Sequence, residues 1–336
     1  MAEDFNQQVV MATRPDGYPQ QSDFDLRHSP IPEPEEGELL VKINWLSLDP
    51  YQRGRMRMSK SYAAPLEINE VITGGVVGKV IKSRTPRFIT GDMVEGLLGW
   101  QSYAISNGEG LRKIDIAIGP ASYFLGILGM PGLTAYFGLL YVGQPKPGDT
   151  VVVSAASGAV GQLVGQIAKK MGCRVIGTAG TNEKVDYIIN ELGFDAGINY
   201  KESDISDELV KYCPDGIDVY FDNVGGIITD AVMNHINKFA RIVVCGQISQ
   251  YNLKEPEMGP RNARLLTVQQ ARMEGFLIYQ FEKRYEEGLQ RLSKWLKDGT
   301  IQYRENIVHG LHNAPNAFIG MMHGQNFGKL LVKVSD

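Results

Sequence analysis

Metal-ligating residues are scarce in this chain. Its 336 residues include three cysteines, Cys173, Cys213 and Cys245, and five histidines. Three widely separated cysteines cannot supply a four-cysteine zinc lobe, and the low count suits a reducing compartment. No histidine lies between residues 29 and 234. His309 and His312 have an i,i+3 spacing that would place two ligands on one helix face, but Gly310 and Pro315 argue for a loop there. No metal is expected. Long apolar runs are also missing. Nothing approaches the roughly 18 residues of a membrane span. The acidic start Met1-Ala2-Glu3-Asp4 leads into no signal-peptide core, so the expectation is a cytoplasmic protein. Basic tracts are absent too: 34 Lys and Arg are interspersed with 38 Asp and Glu, which sets nucleic acid aside as a partner.

What the chain has is length for two domains and an ordinary composition, 43% hydrophobic, so its core needs no metal or disulfide. Up to about residue 120, short apolar runs are broken by Gly and Pro. Leu39 to Asn44 and Gly74 to Ile81 read as strands, the glycines of the second marking bulges or close backbone approach. Such a pattern predicts a small β-barrel. A helical stretch near residue 121 ends at the breaker Pro145-Lys146-Pro147-Gly148-Asp149. Strands and helices then alternate. Strands are expected over 150–155, 174–178, 217–221 and 240–245, and helices over 160–171, 183–192 and 227–236. In the first helix the apolar positions 160, 163, 164, 167, 168 and 171 share one face. Alternation of this kind means βαβ units and a parallel sheet. Residues 281–297 read as a long amphipathic helix. The final strand, 328–334, has no helix after it and is expected to return to the first domain.

Gly158 and Gly161 follow a buried strand and open a helix in Ala155-Ala156-Ser157-Gly158-Ala159-Val160-Gly161. Small residues there let a pyrophosphate approach the backbone, and the helix N-terminus offers N–H groups and a favourable dipole. The next strand end selects the cofactor. An NAD site usually places an acid there for the ribose 2′-hydroxyl. This chain has Thr178-Ala179-Gly180-Thr181-Asn182, no acid before Glu183, and Lys184 one turn into the helix. A neutral strand end beside a cation predicts NADP(H).

Nine segments then match one family in order. They are residues 14–19 (Arg-Pro-Asp-Gly-Tyr-Pro), 47–53 (Ser-Leu-Asp-Pro-Tyr-Gln-Arg), 128–136, the glycine turn, 194–201, 221–226 (Phe-Asp-Asn-Val-Gly-Gly), 244–252, 272–276 and 326–329 (Asn-Phe-Gly-Lys). Over nearly its whole length the chain resembles the zinc-independent medium-chain reductases related to prostaglandin reductase, leukotriene B4 12-hydroxydehydrogenase and alkenal double-bond reductase. Two positions depart from the pattern. Gln52 replaces the usual Met after Asp-Pro-Tyr, and Trp45 is the preceding aromatic.

The resemblance implies an α/β protein with a GroES-like β-barrel domain, residues 1–124 completed by 308–336. A Rossmann NADP-binding domain, 125–307, with a doubly wound parallel sheet would complete it. It also implies a homodimer built through the Rossmann sheets. Lys184 and Tyr200 would hold the adenosine 2′-phosphate. Gly158, Ala159, Val160 and Gly161 would cradle the pyrophosphate. Asn223, Cys245, Gly246, Ile248 and Ser249 would line the cofactor cleft. Phe276, Leu277 and Ile278 would run beside the nicotinamide, and Asn326 would reach the cofactor. Tyr51 and Tyr251 would face the substrate. Where zinc-dependent relatives place a Cys, this chain has Ser47 and Asp49, and Gly74-Gly75-Val76 replaces their Gly-His-Glu.

Without a metal, reduction of a simple carbonyl must rely on protein donors for the growing alkoxide. Conjugate reduction of an α,β-unsaturated aldehyde or ketone suits such a site better. Hydride reaches the β-carbon, charge moves to the carbonyl oxygen as an enolate, and a hydroxyl such as that of Tyr251 stabilises it. A packing role remains open for both tyrosines. Cys245 follows a core strand and is read as a small core residue. The alternatives are a zinc-free quinone reductase or secondary-alcohol dehydrogenase, and a catalytically silent NADPH-binding protein.

Overall fold

A computed structural model describes residues 5–335. Two compact units emerge. One is built from the described parts of Met1–Leu125, Glu305–Asn326 and Leu330–Asp336, the other from Gly126–Arg304 and Phe327–Lys329. Strands and helices are numbered along the whole chain.

In the first unit β1 (Asn6–Met11) and β2 (Phe24–Ser29) form an antiparallel ribbon. A seven-stranded sheet contains β3 (Leu39–Ser47), β4 (Gly75–Ser83), β5 (Met93–Leu97), β6 (Tyr103–Ser106) and β7 (Arg112–Lys113). From the end of the chain it also takes β14 (Glu305–His309) and β15 (Lys329–Lys333). Its order is β14-β15-β3-β4-β5-β7, with β6 also paired to β3. The final strand returns as expected: β15 runs antiparallel to β3, with Leu331 opposite Ser47. The close approach expected of the glycines falls at Gly78, where a Cβ would stand 2.5 Å from the Lys42 carbonyl oxygen. The β3–β4 register also slips at Leu40/Val41 and Ile43/Trp45, as bulges in a curving sheet do. Leu39, Val41, Val80, Phe88 and Val94 form one core cluster, and Trp100 packs against Phe24 and Phe318. Two helices matter here, α1 (Tyr51–Arg55) and α9 (Ala314–Met322).

The second unit opens with α2 (Met130–Phe137), which continues as a π-helical turn, Gly138–Gly143. It then alternates β8 (Thr150–Val153), α3 (Gly161–Lys170), β9 (Arg174–Ala179), α4 (Asn182–Asn190), β10 (Ala196–Asn199) and α5 (Ile205–Tyr212). There follow β11 (Ile217–Asp222), α6 (Gly226–Met233), β12 (Ile236–Val244), α7 (Ala263–Val268), β13 (Arg272–Gly275) and α8 (Tyr285–Lys297). All six strands are parallel, in the order β10-β9-β8-β11-β12-β13. That is the doubly wound order of a Rossmann sheet, with its switch point between β8 and β11. The strand β8, Thr-Val-Val-Val, is buried throughout, as a central parallel strand must be.

Three expectations change in detail. The helix expected over 227–236 stops at Met233, and β12 begins at Ile236. The first residues of β12 are irregular, with Phe239 at φ 66°, so only its second half carries the regular strand pattern. The helix expected over 281–297 begins only at Tyr285. The preceding Ile278–Arg284 is a 3₁₀ turn that stacks Phe281 on Phe137 at 4.9 Å. The third change concerns α3, where Gly161 to Ala168 are all buried. The polar positions Gln162 and Gln166 therefore face protein rather than solvent. Among the described residues no helix is long and apolar enough to cross a membrane.

Candidate active site

The glycine turn lies between β8 and α3, at the switch point of the sheet. Ala155 takes a left-handed conformation, φ 48°, and its carbonyl accepts the Gly158 N–H at 2.9 Å. A Cβ on Gly161 would stand 2.3 Å from that same oxygen, so only glycine fits. No side chain caps the opening of α3 at Val160; the N–H groups of Gln162 and Leu163 are taken by the carbonyls of Gly158 and Val160, so an anion would be met by the N–H groups before them in the turn.

The end of β9 lies beside it. Thr181 caps α4, its hydroxyl accepting the Lys184 N–H at 3.3 Å. The half-buried Lys184 ammonium is pulled below its ordinary range by burial and then by the charge of Lys201, against a smaller opposing effect of Glu183. Tyr200 Oη and Lys201 Cε lie 3.1 and 3.3 Å from the point a Cβ on Gly180 would occupy. Two like charges gathered at a neutral strand end repel each other, an arrangement that an anion would relieve. Lys201 carried no role in the sequence reading. Its signal was its place directly after Tyr200.

At the ends of β11 and β12 a fully buried carboxylate, Asp222, organises the backbone. Its Oδ1 accepts from Tyr220 Oη (2.9 Å), Ser154 Oγ (3.2 Å) and the N–H groups of Val224 and Gly225 (both 2.9 Å). Its Oδ2 accepts from Thr229 Oγ1 at 2.7 Å. The Asp222 carbonyl takes the N–H groups of Cys245 and Gly246. Asn223 donates from Nδ2 to the Ser154 carbonyl at 2.7 Å, and Ile248 and Ser249 donate to the carbonyls of Asn223 and Val224. Asn223, Cys245, Gly246, Ile248 and Ser249 are thus brought together through the backbone of 222–224, next to the residues that the Asp222 carboxylate holds. Sequence reasoning passed over Asp222 itself, because a buried acid inside a matched segment has no spacing that distinguishes it. Asp222→Ala would strand several buried donors at once, each costing about 1–3 kcal/mol. The expected result is a melting temperature lower by roughly 6–12 °C in thermal unfolding. An unchanged midpoint would remove Asp222 as the organiser of these loops.

Tyr251 follows the 3₁₀ turn Ile248–Gln250 and is half-buried. Its hydroxyl accepts the Gln247 N–H at 3.3 Å. Burial pushes its pKa up, against the Gln247 N–H and with smaller contributions from Cys245 and Asp222, so the phenol keeps its proton at neutral pH. The Cys245 thiol is pushed up to about 12 by burial and by Asp222, which suits packing rather than nucleophilic chemistry. Phe276 and Ile278 turn into the core, Phe276 edge-on to Phe221, whereas Leu277 is exposed.

In the first unit, Tyr51 opens α1. The next turn is anchored by Arg53, 1% exposed, which donates to the carbonyls of Pro15 (3.3 Å) and Gly17 (2.8 Å). Arg14 donates to the carbonyls of Met56 and Leu66. The segment 14–19 therefore fixes the helix that carries Tyr51. Gln52 is fully buried and faces inward, accepting the Asp49 N–H and donating to the Ser47 carbonyl. Ser47 Oγ donates to Asp49. Asn326 is half-buried and precedes Phe327. His309 ends β14 and His312 lies in a 3₁₀ turn, both exposed, with Gly310 at φ 81° between them. Among the described residues no three His, Cys, Asp or Glu side chains converge as metal ligands would.

Comparison with known proteins gives two matching family models, "N-terminal domain of oxidoreductase" over residues 7–114 and "Zinc-binding dehydrogenase" over 159–294. The putative NADP-dependent oxidoreductase YfmJ of Bacillus subtilis is 51% identical over 333 residues, covering 98% of each chain. The NADP(+)-dependent 2-alkenal reductase of Nicotiana tabacum is 46% identical over 342 residues, covering 100% of this chain and 99% of its own. The crystal structure of CurA from Vibrio vulnificus in complex with NADPH superposes with a TM-score of 0.94 at 48% identity. That match covers 98% of this chain and 99% of that one. The chain belongs to the zinc-independent medium-chain dehydrogenase/reductase family. It is an oxidoreductase of that family with a GroES-like and a Rossmann domain. The residues of the second unit fit the family's dinucleotide: a turn that only glycine can complete, an uncapped helix opening, and two lysines with a tyrosine at a neutral strand end.

Proposed function

We propose that this enzyme reduces the carbon–carbon double bond of α,β-unsaturated aldehydes or ketones, with NADP(H) as its cofactor. The observation that carries this reading is the place of the half-buried Tyr251 hydroxyl, whose oxygen accepts the Gln247 N–H in the turn after β12. The names of the 2-alkenal reductase relative and of the NADPH complex support it.

The glycine turn, Gly158 to Gly161, holds the pyrophosphate, and Lys184, Tyr200 and Lys201 hold the 2′-phosphate. Asn223, Cys245, Gly246, Ile248, Ser249, the backbone of Phe276 to Ile278, and Asn326 complete the cofactor's surroundings. When bound, NADPH supplies a hydride for the β-carbon of the substrate. The chain's task is then to receive the charge that moves onto the carbonyl oxygen. Tyr251 donates a hydrogen bond to that oxygen, Tyr51 bounds the substrate, and water or a tyrosine returns a proton to the α-carbon. The result is a saturated carbonyl compound, with one hydride and one proton added across the double bond.

Tyr51 and Asn326 belong to the GroES-like domain, 1–124 with 308–336, and the other residues named here to the Rossmann domain, 125–307. The exposed edge strand β13, with Met273 and the nearby Leu277 and Tyr279 also exposed, supports a homodimer joined through the sheets. The three free cysteines support a cytoplasmic location.

A panel of trans-2-alkenals, enones, quinones and secondary alcohols, followed by NADPH oxidation or NADP⁺ reduction, tests the function. Alkenals and enones are expected to turn over fastest, with rates unaffected by chelators. Preferential turnover of quinones or alcohols would replace this reading, and tight NADPH binding without turnover would make the protein a cofactor-binding one.

A further inference from the structure

The fully buried Gln162 lies one residue beyond the glycine turn, and both ends of its carboxamide are hydrogen-bonded. Its Oε1 accepts the Arg304 N–H at 2.9 Å and the Tyr187 O–H at 3.0 Å, and its Nε2 donates to the Arg304 carbonyl at 3.2 Å. That carbonyl also accepts the Lys329 N–H at 3.0 Å. Next to Lys329, Gly328 donates to the Ser157 carbonyl at 3.1 Å and bridges Gly158, inside the glycine turn itself. A Cβ on Gly328 would stand 2.3 Å from the Arg304 oxygen, so the segments are in backbone contact. The Arg304 guanidinium lies 3.6 Å over the Phe327 ring, which meets Tyr187 edge-on at 5.0 Å. Tyr187 sits one turn after Lys184 on α4.

From this geometry we infer that Gln162 is a positioning residue for the cofactor. It ties the pyrophosphate turn on α3 to the 2′-phosphate helix α4 and to the segment 327–329 that closes on the turn. The inference rests on the reading that this turn and Lys184 hold NADPH. The carboxamide holds the Tyr187 hydroxyl of α4 and the backbone of Arg304, and Arg304 in turn holds Lys329, which fixes the separation between the two phosphate-binding places. In one bound conformation a dinucleotide sets one distance between pyrophosphate and 2′-phosphate, so a slackened separation in the protein weakens the second contact selectively.

Gln166, one turn further along α3, supplies an internal control. It is buried like Gln162 and brackets Gln302 in the same way, donating to its carbonyl at 2.9 Å and accepting its N–H at 2.7 Å. It bonds neither Tyr187 nor Arg304, and its one contact with Gln162 is to the backbone carbonyl, at 2.7 Å, not to the carboxamide. A general loss of stability is therefore expected from either substitution, and a cofactor effect only from one.

The experiment measures dissociation constants for NADPH and NADH, with melting temperatures, for the full-length wild type, Gln162→Met, Gln166→Met and Tyr187→Phe. Gln162→Met is expected to weaken NADPH binding about tenfold, the worth of a buried hydrogen bond. Gln166→Met should melt earlier by a similar amount but bind NADPH as the wild type does. Tyr187→Phe, which removes a single hydroxyl and keeps the ring, should lower the NADPH-to-NADH preference several-fold and leave NADH binding unchanged. Gln162→Glu, which keeps the shared acceptor, should recover part of that preference. Equal NADPH constants for the two methionine variants, or an unaltered preference in Tyr187→Phe, would overturn the inference while leaving the cofactor reading intact. A wild type that fails to bind NADPH would overturn both.

Discussion

Lys184→Glu is expected to raise the dissociation constant for NADPH by about 100-fold, equivalent to roughly 2.7 kcal/mol. The constant for NADH should move by less than about threefold, the scale of a surface charge effect. A charge-assisted hydrogen bond is worth about 1.5–3 kcal/mol. Reversing the charge also replaces an attraction with a repulsion, and solvent at this half-buried site keeps the sum from growing further. NADH lacks the phosphate and feels only the remote field. Titration of cofactor fluorescence measures both constants, and equal weakening of the two would withdraw Lys184 from the site. The pH dependence follows from the same pair of lysines. Burial and Lys201 both disfavour the Lys184 ammonium, so in the free enzyme it loses its proton at lower pH than an ordinary lysine. The 2′-phosphate is dianionic from about pH 7 upward. The preference for NADPH should therefore hold near neutrality and decline on the alkaline side before the ordinary lysine range is reached.

The parts of this site that were legible in the sequence are those whose chemistry is local. Gly161 has to be glycine because of an oxygen six residues back in the same turn. The neutral end of β9 and Lys184 are separated by one helical turn. Such features need only a strand, a turn and the start of a helix, and all three are written in consecutive residues. The strand order of the second unit was likewise constrained, because strands alternating with helices leave few ways to wind a parallel sheet.

What was not legible depends on chain segments that meet only after folding. Gln162 and Gln166 occupy the polar positions of what reads as an amphipathic helix, and a polar residue there is ordinarily solvated. They are buried because 302–304 crosses the helix and needs partners for its backbone groups, and a glutamine can satisfy a donor and an acceptor together. Asp222 is hidden differently. Four of its five side-chain donors, Tyr220, Val224, Gly225 and Thr229, lie within seven residues of it, but only the folded turn between β11 and α6 brings them onto one carboxylate, and the fifth, Ser154, comes from the end of β8. The start of β12 was masked by its own irregularity: residues 236–239 carry no alternation because Phe239 is in a left-handed conformation. The segment 14–19 could be matched to a family but not explained until the Arg53 guanidinium was found on its carbonyls.

Tyr251→Phe is expected to lower kcat on an enone about 100-fold or more, the usual cost of removing one donor to a developing oxyanion. NADPH affinity should change less than twofold, because the ring stays in place and the hydroxyl is not part of either phosphate site. The contact at Gln247 N–H uses a lone pair of the phenol, not its proton, and Gln247 is exposed, so its N–H can turn to water when the hydroxyl is removed. Stability should therefore barely move, which separates chemistry from packing. The sign of the acidity shift matters for the role. A tyrosine whose ionisation lies above its ordinary range is a poorer acid than free phenol and cannot protonate carbon easily, but it remains a hydrogen-bond donor well into the alkaline range. Any loss of turnover from tyrosine ionisation should accordingly come at higher pH than for an ordinary tyrosine, while the Phe variant should be slow at every pH. An unchanged kcat in the variant would make Tyr251 a wall of the pocket. The oxygen's charge would then have to be met by another donor, with the Gln247 N–H, which loses its phenol acceptor in the variant, the next to test.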